Sequence, residues 1–277
     1  MLTHEHWHDQ AALRWTMNDV SLLILQHAGP RIVSLEVAGG SNILADVPDF
    51  TIPCPDNAPY QIWGGHRLWY APETPDVTYL PDDQPVAISE IDNTLTIRGV
   101  PNSVMMQKTL HITVEDDHTI QINHVLTNHS KNAVTCAPWA ITQLKTGGVA
   151  ILPQARDAVD PAGLQANRSL ALWQYTDIQH PNLMLGNRWI TVRAAYGHGE
   201  AMKLGWANRV GWLAYHWQGQ LLVKSAHFDP AAWYYDSNSS SECYCNDRFL
   251  ELETLAPRIM LEPHASTTHR ETWQVRP

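Results

Sequence analysis

Two glutamates close to the end of the chain have the residue type and the spacing of groups that transfer protons. Residues 249–255 read FLELETL, an alternation that predicts a β-strand. Since side chains alternate between the two faces of a strand, the carboxylates of Glu251 and Glu253 are predicted to share one face. Glu is uncommon in strands, and its burial requires a donor or a ligand. This face is therefore either the wet side of an edge strand or a functional surface.

The Trp content points to a second component of such a site. The chain has 12 Trp in 277 residues, whereas only 17% of its residues are charged. An indole ring buries a large apolar area and carries one N–H donor, so it suits both a core and a platform for the C–H faces of sugars. We expect most of the indoles in the core and the others around a pocket or an interface.

Charge and hydropathy exclude two classes of partner. With 18 Lys and Arg against 28 Asp and Glu, the formal net charge is −10, and no basic cluster is present to neutralise phosphates, so no nucleic-acid partner is expected. No run approaches the ~20 apolar residues of a spanning helix. Residues 1–6 lack the basic and apolar segments of a signal peptide. We therefore predict no membrane partner and a cytoplasmic location.

The Cys and His patterns favour neither a metal nor a cofactor. Cys243 and Cys245 would share one face of a strand and could bind a soft metal with two further ligands, but no second Cys pair accompanies them, so buried thiols are favoured. His4, His6 and His8 would also share a face, although a solvated chain end is the favoured interpretation. No metal site and no cofactor are predicted.

The pattern along the chain predicts an antiparallel all-β fold with one or two short helices. Short alternating segments are separated by Asn, Asp and Gly turns, and the predicted strands are 20–27, 31–37, 86–91, 94–98, 108–114, 119–126, 134–144, 189–194, 210–217, 220–225, 249–255 and 268–275. Residues 47–60, with four prolines, and the aromatic stretch 61–73 are predicted to be loops. The stretches 161–172 and 200–209 favour helices. Since no linker or repeat divides the chain, one domain over 1–277 is predicted.

Three segments, taken in chain order, resemble the galactose mutarotase-like superfamily of aldose epimerases and carbohydrate-active relatives. They are the opening hairpin LLILQHAGPRIVSLEVAGGSNIL, the strand pair with a TN turn in INHVLTNHSKNAVTCAPWAITQL, and the closing strands FLELETLAPRIMLEPHASTTHRETW. The segment GGHRLW followed by APE, together with ELETLAP, is most similar to an uncharacterised branch of that superfamily. The resemblance implies a large antiparallel β-supersandwich whose concave face binds sugar.

The resemblance also implies roles for individual residues. Glu253 matches the catalytic base of the mutarotases, and the turn at residues 64 and 65 matches the point where their Arg or aromatic side chains reach the sugar, which makes Arg67 and His66 candidates. Mutarotases carry a catalytic His on the strand after the TN turn, where this chain reads APWAITQ. His66 is therefore our candidate acid. The predicted substrate-binding residues are Arg67, Trp63, Trp69, Trp139, Gln143, Lys224, Asp229 and Trp233.

Two kinds of function fit these residues, and both have a small-molecule sugar as partner. In the first, the protein interconverts sugar anomers: a base takes the O1 proton, an acid protonates the ring oxygen, and the open-chain aldehyde rotates and recloses. A Glu partly buried among indoles has a raised pKa, which suits the base. In the second, the protein is a non-catalytic carbohydrate-binding protein, or a domain related to carbohydrate lyases and hydrolases. The missing His favours the second function, and the retained Glu253 favours the first. The sequence leaves the sugar and the oligomeric state open.

Overall fold

Alternating segments and turns build strands along nearly the whole chain. The computed structural model describes residues 1–54 and 58–276. The strands in these ranges are β1 (Leu2–Trp7), β2 (Gln10–Met17), β3 (Val20–Leu25), β4 (Arg31–Val37), β5 (Asp46–Ile52), β6 (Tyr60–Gly64), β7 (His66–Ala71), β8 (Ala87–Ile91), β9 (Thr94–Arg98), β10 (Met106–Asp116), β11 (Thr119–Asn128), β12 (Val134–Leu144), β13 (Val149–Pro153), β14 (Ala171–Leu172), β15 (Leu183–Leu185), β16 (Trp189–Arg193), β17 (Met202–Trp206), β18 (Trp212–Trp217), β19 (Gln220–Ala226), β20 (Ser241–Cys245), β21 (Leu250–Leu255), β22 (Ile259–Leu261) and β23 (Ser266–Arg276). Two four-residue helical segments lie in connections, α1 (Pro75–Thr78) and α2 (Tyr235–Asn238). Within the described ranges, no helix has the length and apolar character needed to cross a membrane.

The strands assemble into two large antiparallel sheets and one small one. The first sheet has 11 strands in the order β1-β2-β3-β4-β7-β12-β21-β20-β17-β14, with β22 also paired to β12. The second sheet has 10 strands in the order β15-β16-β13-β18-β19-β23-β11-β10-β9-β8. β5 and β6 form a separate two-stranded sheet. The chain is therefore an antiparallel all-β protein, as the sequence predicts.

The main core lies between the two large sheets, because each contributes the apolar face of its strands. Leu68 and Leu252 from the first sheet, and Ile112, Ile122 and Leu213 from the second, are buried in one apolar cluster. Burying one such side chain stabilises the fold by ~1.5–3 kcal/mol. The core thus decides which face of each strand turns inward, and the opposite face of the first sheet is left to build a site.

The hairpins predicted from local alternation are confirmed. β3 pairs with β4, β8 with β9 and β10 with β11, all antiparallel. β12 spans the predicted residues 134–144. Turn chemistry and alternation suffice at these places because the paired strands are neighbours in sequence.

The loops predicted at 47–60 and 61–73 are wrong over most of their length. β5 and β6 pair with each other there, and β7 pairs with β12 and β4 in the first large sheet. Residues 55–57 of the predicted loop lie outside the described ranges. The sequence of β7 misleads because all six of its residues are buried, so apolar and polar positions do not alternate along it.

The turn between β6 and β7 depends on two glycines. Gly64 and Gly65 have φ values of 99° and 73°, which glycine adopts without the steric cost that other residues have. A Cβ atom at these positions would meet the backbone carbonyl of Ala45 or of Ile32, respectively. The two glycines therefore set where β7 starts, and with it the position of Arg67.

The helices predicted at 161–172 and 200–209 are also wrong. Each stretch contains a strand instead, β14 in the first and β17 in the second. All five residues of β17 are buried, so pairing inside the sheet and burial on both faces outweigh its weak local preference. The two short helical segments of the fold lie elsewhere in the chain.

Candidate functional site

A cavity of about 520 Å³ opens on the outer face of the first sheet, away from the main core. β7, β12 and β21 are neighbours in that sheet and supply its floor. The residues that line the cavity are Phe50, Ile52, Ile62, Arg67, Trp69, Glu73, Tyr79, Trp139, Trp173, Tyr175, Ala201, Lys203, Tyr244, Phe249 and Glu251. Its volume lies within the range of ~300–1,000 Å³ found for small-molecule sites.

The carboxylate of Glu251 is held in the cavity floor by two donors. Arg67 Nη2 donates to Glu251 Oε1 at 3.1 Å, and Gln143 Nε2 donates to the same oxygen at 2.9 Å. The Arg67 guanidinium lies 4.1 Å from the centroid of the Trp69 ring, a cation–π contact. Among the described residues, none donates a hydrogen bond to Glu251 Oε2. One carboxylate oxygen is therefore free to meet a ligand.

A buried ammonium group, that of Lys203, joins the cavity wall to two further carboxylates. Lys203 Nζ lies 2.8 Å from Glu242 Oε2 and 3.2 Å from Glu253 Oε2. The same nitrogen lies 4.6 Å from the ring centroid of Trp139 and 4.8 Å from that of Trp173. Lys203 lies on β17, which pairs with β20, and β20 in turn is the neighbour of β21 in the sheet. Since both carboxylates are fully buried, Lys203 supplies the charge that makes their burial tolerable.

The structure places Glu253 behind the cavity wall and not in the cavity. Its exposed fraction is 0%, and its Oε2 accepts hydrogen bonds from Trp139 Nε1 at 2.7 Å and Lys203 Nζ at 3.2 Å. Glu251 and Glu253 share one face of β21, but of these two only Glu251 lines the cavity. Glu253 thus positions the Trp139 and Lys203 side chains, which do line it.

The local charges make Glu251 the cavity group best suited to exchange a proton near neutral pH. Burial raises the pKa of Glu251 to about 7, against the opposing effect of Arg67. Burial also raises the pKa of Glu242 well above its usual value, although Lys203 opposes this. Burial by itself would lower the pKa of Lys203, but its two carboxylate partners outweigh burial and raise that pKa well above its usual value. Lys203 therefore keeps its positive charge.

His66 lies on the other side of the sheet and does not face the cavity. Because His66 and Arg67 are consecutive on β7, their side chains point to opposite faces. His66 is fully buried between the sheets, with Nδ1 2.9 Å from Thr142 Oγ1 and Nε2 2.7 Å from His124 Nε2. The structure therefore does not bring the predicted base Glu253 and the predicted acid His66 together at one cavity, since the sheet itself separates them.

The cluster around His66 pairs its own donors and acceptors. Lys224 Nζ lies 3.0 Å from Glu271 Oε1 and donates to Thr142 Oγ1 at 2.7 Å. The second Glu271 oxygen accepts from Trp273 Nε1 at 2.8 Å. The sequence suggests Lys224 as a substrate-binding residue, but the structure buries it completely in this cluster between the sheets.

Three members of the cluster have the arrangement of metal ligands. Ligand atoms of His66, His124 and Glu271 lie within 4.8 Å of one another, and two His with one carboxylate suit several transition metals. Because a carbonyl only accepts, His124 Nδ1 donates to the backbone of His269 at 3.1 Å and leaves Nε2 to accept from His66. The Lys224 ammonium already neutralises Glu271. The hydrogen bonding is complete without an ion, and we interpret the cluster as structural.

The buried histidines predict a loss of stability in mild acid. Burial lowers the pKa of His66, His124 and His269, the last to about 3, whereas His in the unfolded chain titrates near 6.5. Above about pH 6.5, each buried histidine therefore makes its full contribution to the free energy of unfolding. As the pH falls from 6.5 towards the pKa of that histidine in the folded state, its contribution decreases by up to ~1.4 kcal/mol per pH unit. Glu242 and Glu251, with raised pKa values, act in the opposite direction over the same range.

A variant isolates the histidine effect from that of the glutamates. Urea unfolding of the native chain and of His269→Gln, between pH 7.5 and 5, should give a difference in unfolding free energy that shrinks by up to ~1.4 kcal/mol per pH unit below 6.5. His216→Ala, at an exposed position, should leave the pH dependence unchanged. A His269→Gln curve parallel to that of the native chain would contradict the prediction.

Several residues suggested by the sequence lie away from the cavity. Trp63 packs against Trp7, with ring centroids 6.1 Å apart, in a separate apolar cluster. Trp233 is 73% exposed, and Asp229 lies in the same connection, where its side chain accepts from the backbone of Ala231. Gln143 is fully buried and does not line the cavity, although its side chain donates to Glu251. Of the predicted substrate-binding residues, those that line the cavity are Arg67, Trp69 and Trp139.

Sequence reasoning missed most of the residues that line the cavity, among them Lys203, Trp173 and Tyr175. Lys203 belongs to the stretch for which a helix is predicted, and the two aromatic residues follow β14 in a region without clear periodicity. One signal was present: the segment MKLGW places a single Lys among apolar residues, and a Lys in a buried strand requires an anionic partner.

Solved structures place this fold among known proteins. No protein-family model and no curated protein matches the sequence. A galactose mutarotase-like protein from Lactobacillus casei ATCC 334 is 10% identical and aligns over 96% of this chain and 100% of its own, with a TM-score of 0.59. A proposed aldose 1-epimerase from Escherichia coli K12 is 13% identical over 100% and 99% of the two chains, with a TM-score of 0.58. A TPR-domain containing protein from Parabacteroides distasonis ATCC 8503 is 14% identical over 97% of this chain and 48% of its own, with a TM-score of 0.66.

At these identities the likeness is one of fold. The chain has the galactose mutarotase-like fold, a large antiparallel β-supersandwich, and the resemblance that the sequence motifs suggest is confirmed at that level. What the neighbours' names say about chemistry belongs to those proteins.

Proposed function

We propose that the protein is an isomerase of the aldose 1-epimerase type, which interconverts the anomers of a free sugar in the cavity of the first sheet. The observation that carries this proposal is the Glu251 carboxyl, which has one free oxygen and a pKa raised to about 7 by burial, at the base of a cavity walled by aromatic rings. The fold of the structural neighbours supports it. A cytoplasmic location, expected from the sequence, is part of the proposal.

Glu251 can serve both oxygens of the anomeric carbon in turn. As a carboxylate it takes the proton from the O1 hydroxyl, so that C1=O1 forms while the C1–O5 bond breaks. The carboxylic acid then gives the proton to O5, which releases the open-chain aldehyde and regenerates the carboxylate. The Lys203 ammonium, held at full charge, stabilises negative charge that develops on the ring oxygen. Rotation about C1–C2 and the reverse steps yield the other anomer.

The walls of the cavity suit a pyranose. Tyr175 is 46% exposed and Trp173 is half-buried, so their rings are available to stack on sugar C–H faces. Arg67 lines the cavity, and within the described ranges its Nε and Nη1 atoms are buried and have no hydrogen-bond partner. The exposed Glu73 carboxylate at the rim adds an acceptor.

The aromatic rings of Trp173 and Tyr175 predict a matched pair of binding defects. Trp173→Ala and Tyr175→Ala should each weaken sugar binding about tenfold, since a stacked ring contributes ~0.5–1.5 kcal/mol beyond its buried area. Tyr175→Phe should bind like the native chain. Trp233→Ala, an exposed indole outside the cavity, is the control. Isothermal titration with the best-bound aldose measures the affinities, and equal affinities for all four variants would contradict a sugar in this cavity.

Following anomer exchange by NMR tests the activity directly. Freshly dissolved single anomers of a panel of aldoses, including uronic acids and sugar phosphates, are mixed with the protein, and the exchange rate is compared with the buffer rate. At least one aldose should exchange faster with protein than without it. If no aldose of the panel exchanged faster with the protein than in buffer, the proposal that the protein is an isomerase would be contradicted.

A second candidate function is non-catalytic sugar binding. It is favoured by the fact that no His lines the cavity within the described ranges and that Glu251 Oε1 is already engaged by Arg67 and Gln143. Saturable binding of an aldose without faster exchange would support this candidate. The absence of both binding and exchange would reject both functions.

A further inference from the structure

A pair of indoles, one exposed and one half-buried, stands on the outer face of the second sheet. Trp189 in β16 and Trp212 in β18 have ring centroids 5.7 Å apart. The next residues in sequence, Ile190 and Leu213, are buried in the main core, so the two indoles project outward. Trp189 is 42% exposed. The cavity of the first sheet lies on the opposite outer face of the sandwich, so this pair has no part in it.

Three arginines lie in and beside the depression that holds the two indoles: Arg156 and Arg188 line the same depression, and Arg209 lines the adjoining one, where its guanidinium lies 5.6 Å from the ring centroid of Phe228. Two adjoining depressions share Gln154, Arg156 and Val210, and together with the indoles they form what we call the arginine groove, made of Gln154, Arg156, Arg188, Trp189, Arg209, Val210 and Trp212. All three Arg residues are exposed. Within the described ranges, none of their guanidinium groups makes a hydrogen bond or an ion pair with another side chain, and the acidic residue in the depressions is Asp157. A local excess of positive charge therefore stands on a chain of net charge −10.

This combination selects the chemistry of the ligand. A free guanidinium fork matches a carboxylate in a bidentate arrangement, while indoles stack on sugar rings. Three arginines on a strongly acidic protein are too few to follow a nucleic-acid backbone, which carries one charge per ~1.7 Å of duplex. We infer that the arginine groove binds an acidic oligosaccharide, whose uronate units present carboxylates to Arg156 and Arg188 and a ring face to the indoles. This inference is independent of the function proposed for the cavity.

Titration with trigalacturonate tests the inference. The native chain should bind it saturably, more weakly as salt is added because the contact is ionic, and should bind neutral maltotriose at least tenfold more weakly. The double variants Arg156→Ala/Arg188→Ala and Trp189→Ala/Trp212→Ala should each lose about tenfold or more in affinity. The double variant Arg156→Lys/Arg188→Lys keeps the positive charge but loses the guanidinium fork, so it should retain only part of the native affinity.

Two controls separate this site from the cavity and from general charge effects. Arg98→Ala, at an exposed position in β9 of the same sheet, should bind like the native chain. Glu251→Gln alters the cavity and should leave trigalacturonate binding unchanged. The inference is overturned if trigalacturonate does not bind, if Arg98→Ala weakens binding as much as the groove variants do, or if maltotriose or a ten-nucleotide single strand of DNA binds equally well.

Discussion

Lys203→Met is expected to destabilise the protein by about 3–5 kcal/mol at pH 8, the range measured when one partner of a buried ion pair is removed. Lys203 Nζ is the charge partner of two fully buried carboxylates, at 2.8 Å and 3.2 Å. Without it, the carboxylate that was ionised must either stay charged in the interior or take up a proton. Urea unfolding followed by circular dichroism measures the loss.

The pH dependence of that loss identifies its cause. Burial raises the pKa of Glu242 well above its usual value, and protonation of Glu242 removes buried negative charge, so the gap between native and Lys203→Met stability should narrow by up to ~1.4 kcal/mol per pH unit as the pH falls from 8 to 5. Lys203→Met/Glu253→Gln should be more stable than Lys203→Met. Lys131→Met, at an exposed position, should unfold like the native chain. A pH-independent loss, or no gain in the double variant, would show that lost packing and not charge is responsible.

Glu251→Gln is expected to slow anomer exchange by ~10²–10⁴-fold, the usual contribution of a positioned acid or base. Gln has the same shape and cannot accept the O1 proton, so sugar affinity should change only a few-fold. Because burial raises the pKa of Glu251 to about 7, the native exchange rate should rise with pH through about 7 as the carboxylate forms, and then level off. Polarimetry on the best substrate of the panel, from pH 5.5 to 8.5, records both effects.

Two other glutamates serve as controls for this variant. Glu73→Gln changes an exposed carboxylate at the rim of the same cavity and should keep most of the activity and the same pH profile. Glu253→Gln should lower activity through misplacement of Trp139 and Lys203, and should move the pH inflection below 7 without removing it, since the Glu253 carboxylate helps to raise the pKa of Glu251 but does not line the cavity. If the inflection in the pH profile disappeared in Glu253→Gln and persisted in Glu251→Gln, Glu253 and not Glu251 would be the catalytic base.

His66 and Arg67, two adjacent residues of β7, show how much strand periodicity can predict about the site. The resemblance suggests both His66 and Arg67 as sugar contacts, and the sequence predicts a loop over 61–73, in which neighbouring side chains can point the same way. Once the segment pairs as a strand, neighbours must point to opposite faces, and Arg67 meets the cavity while His66 joins the buried cluster between the sheets. The burial of both faces hid this strand, because it removed the alternation by which strands are detected.

The antiparallel β-architecture, the local hairpins and the shared face of Glu251 and Glu253 can be predicted from the sequence, because they follow from the period of two and from turn residues close in the chain. The three-dimensional packing is needed to show that Glu251 lines the cavity and that Glu253 is held behind it by Lys203. The contact between Lys203 and Glu253 links β17 to β21, which lie on either side of β20 in the sheet. Strand order is decided by burial and by pairing between segments that are far apart in the sequence, and neither produces a periodic pattern along the chain.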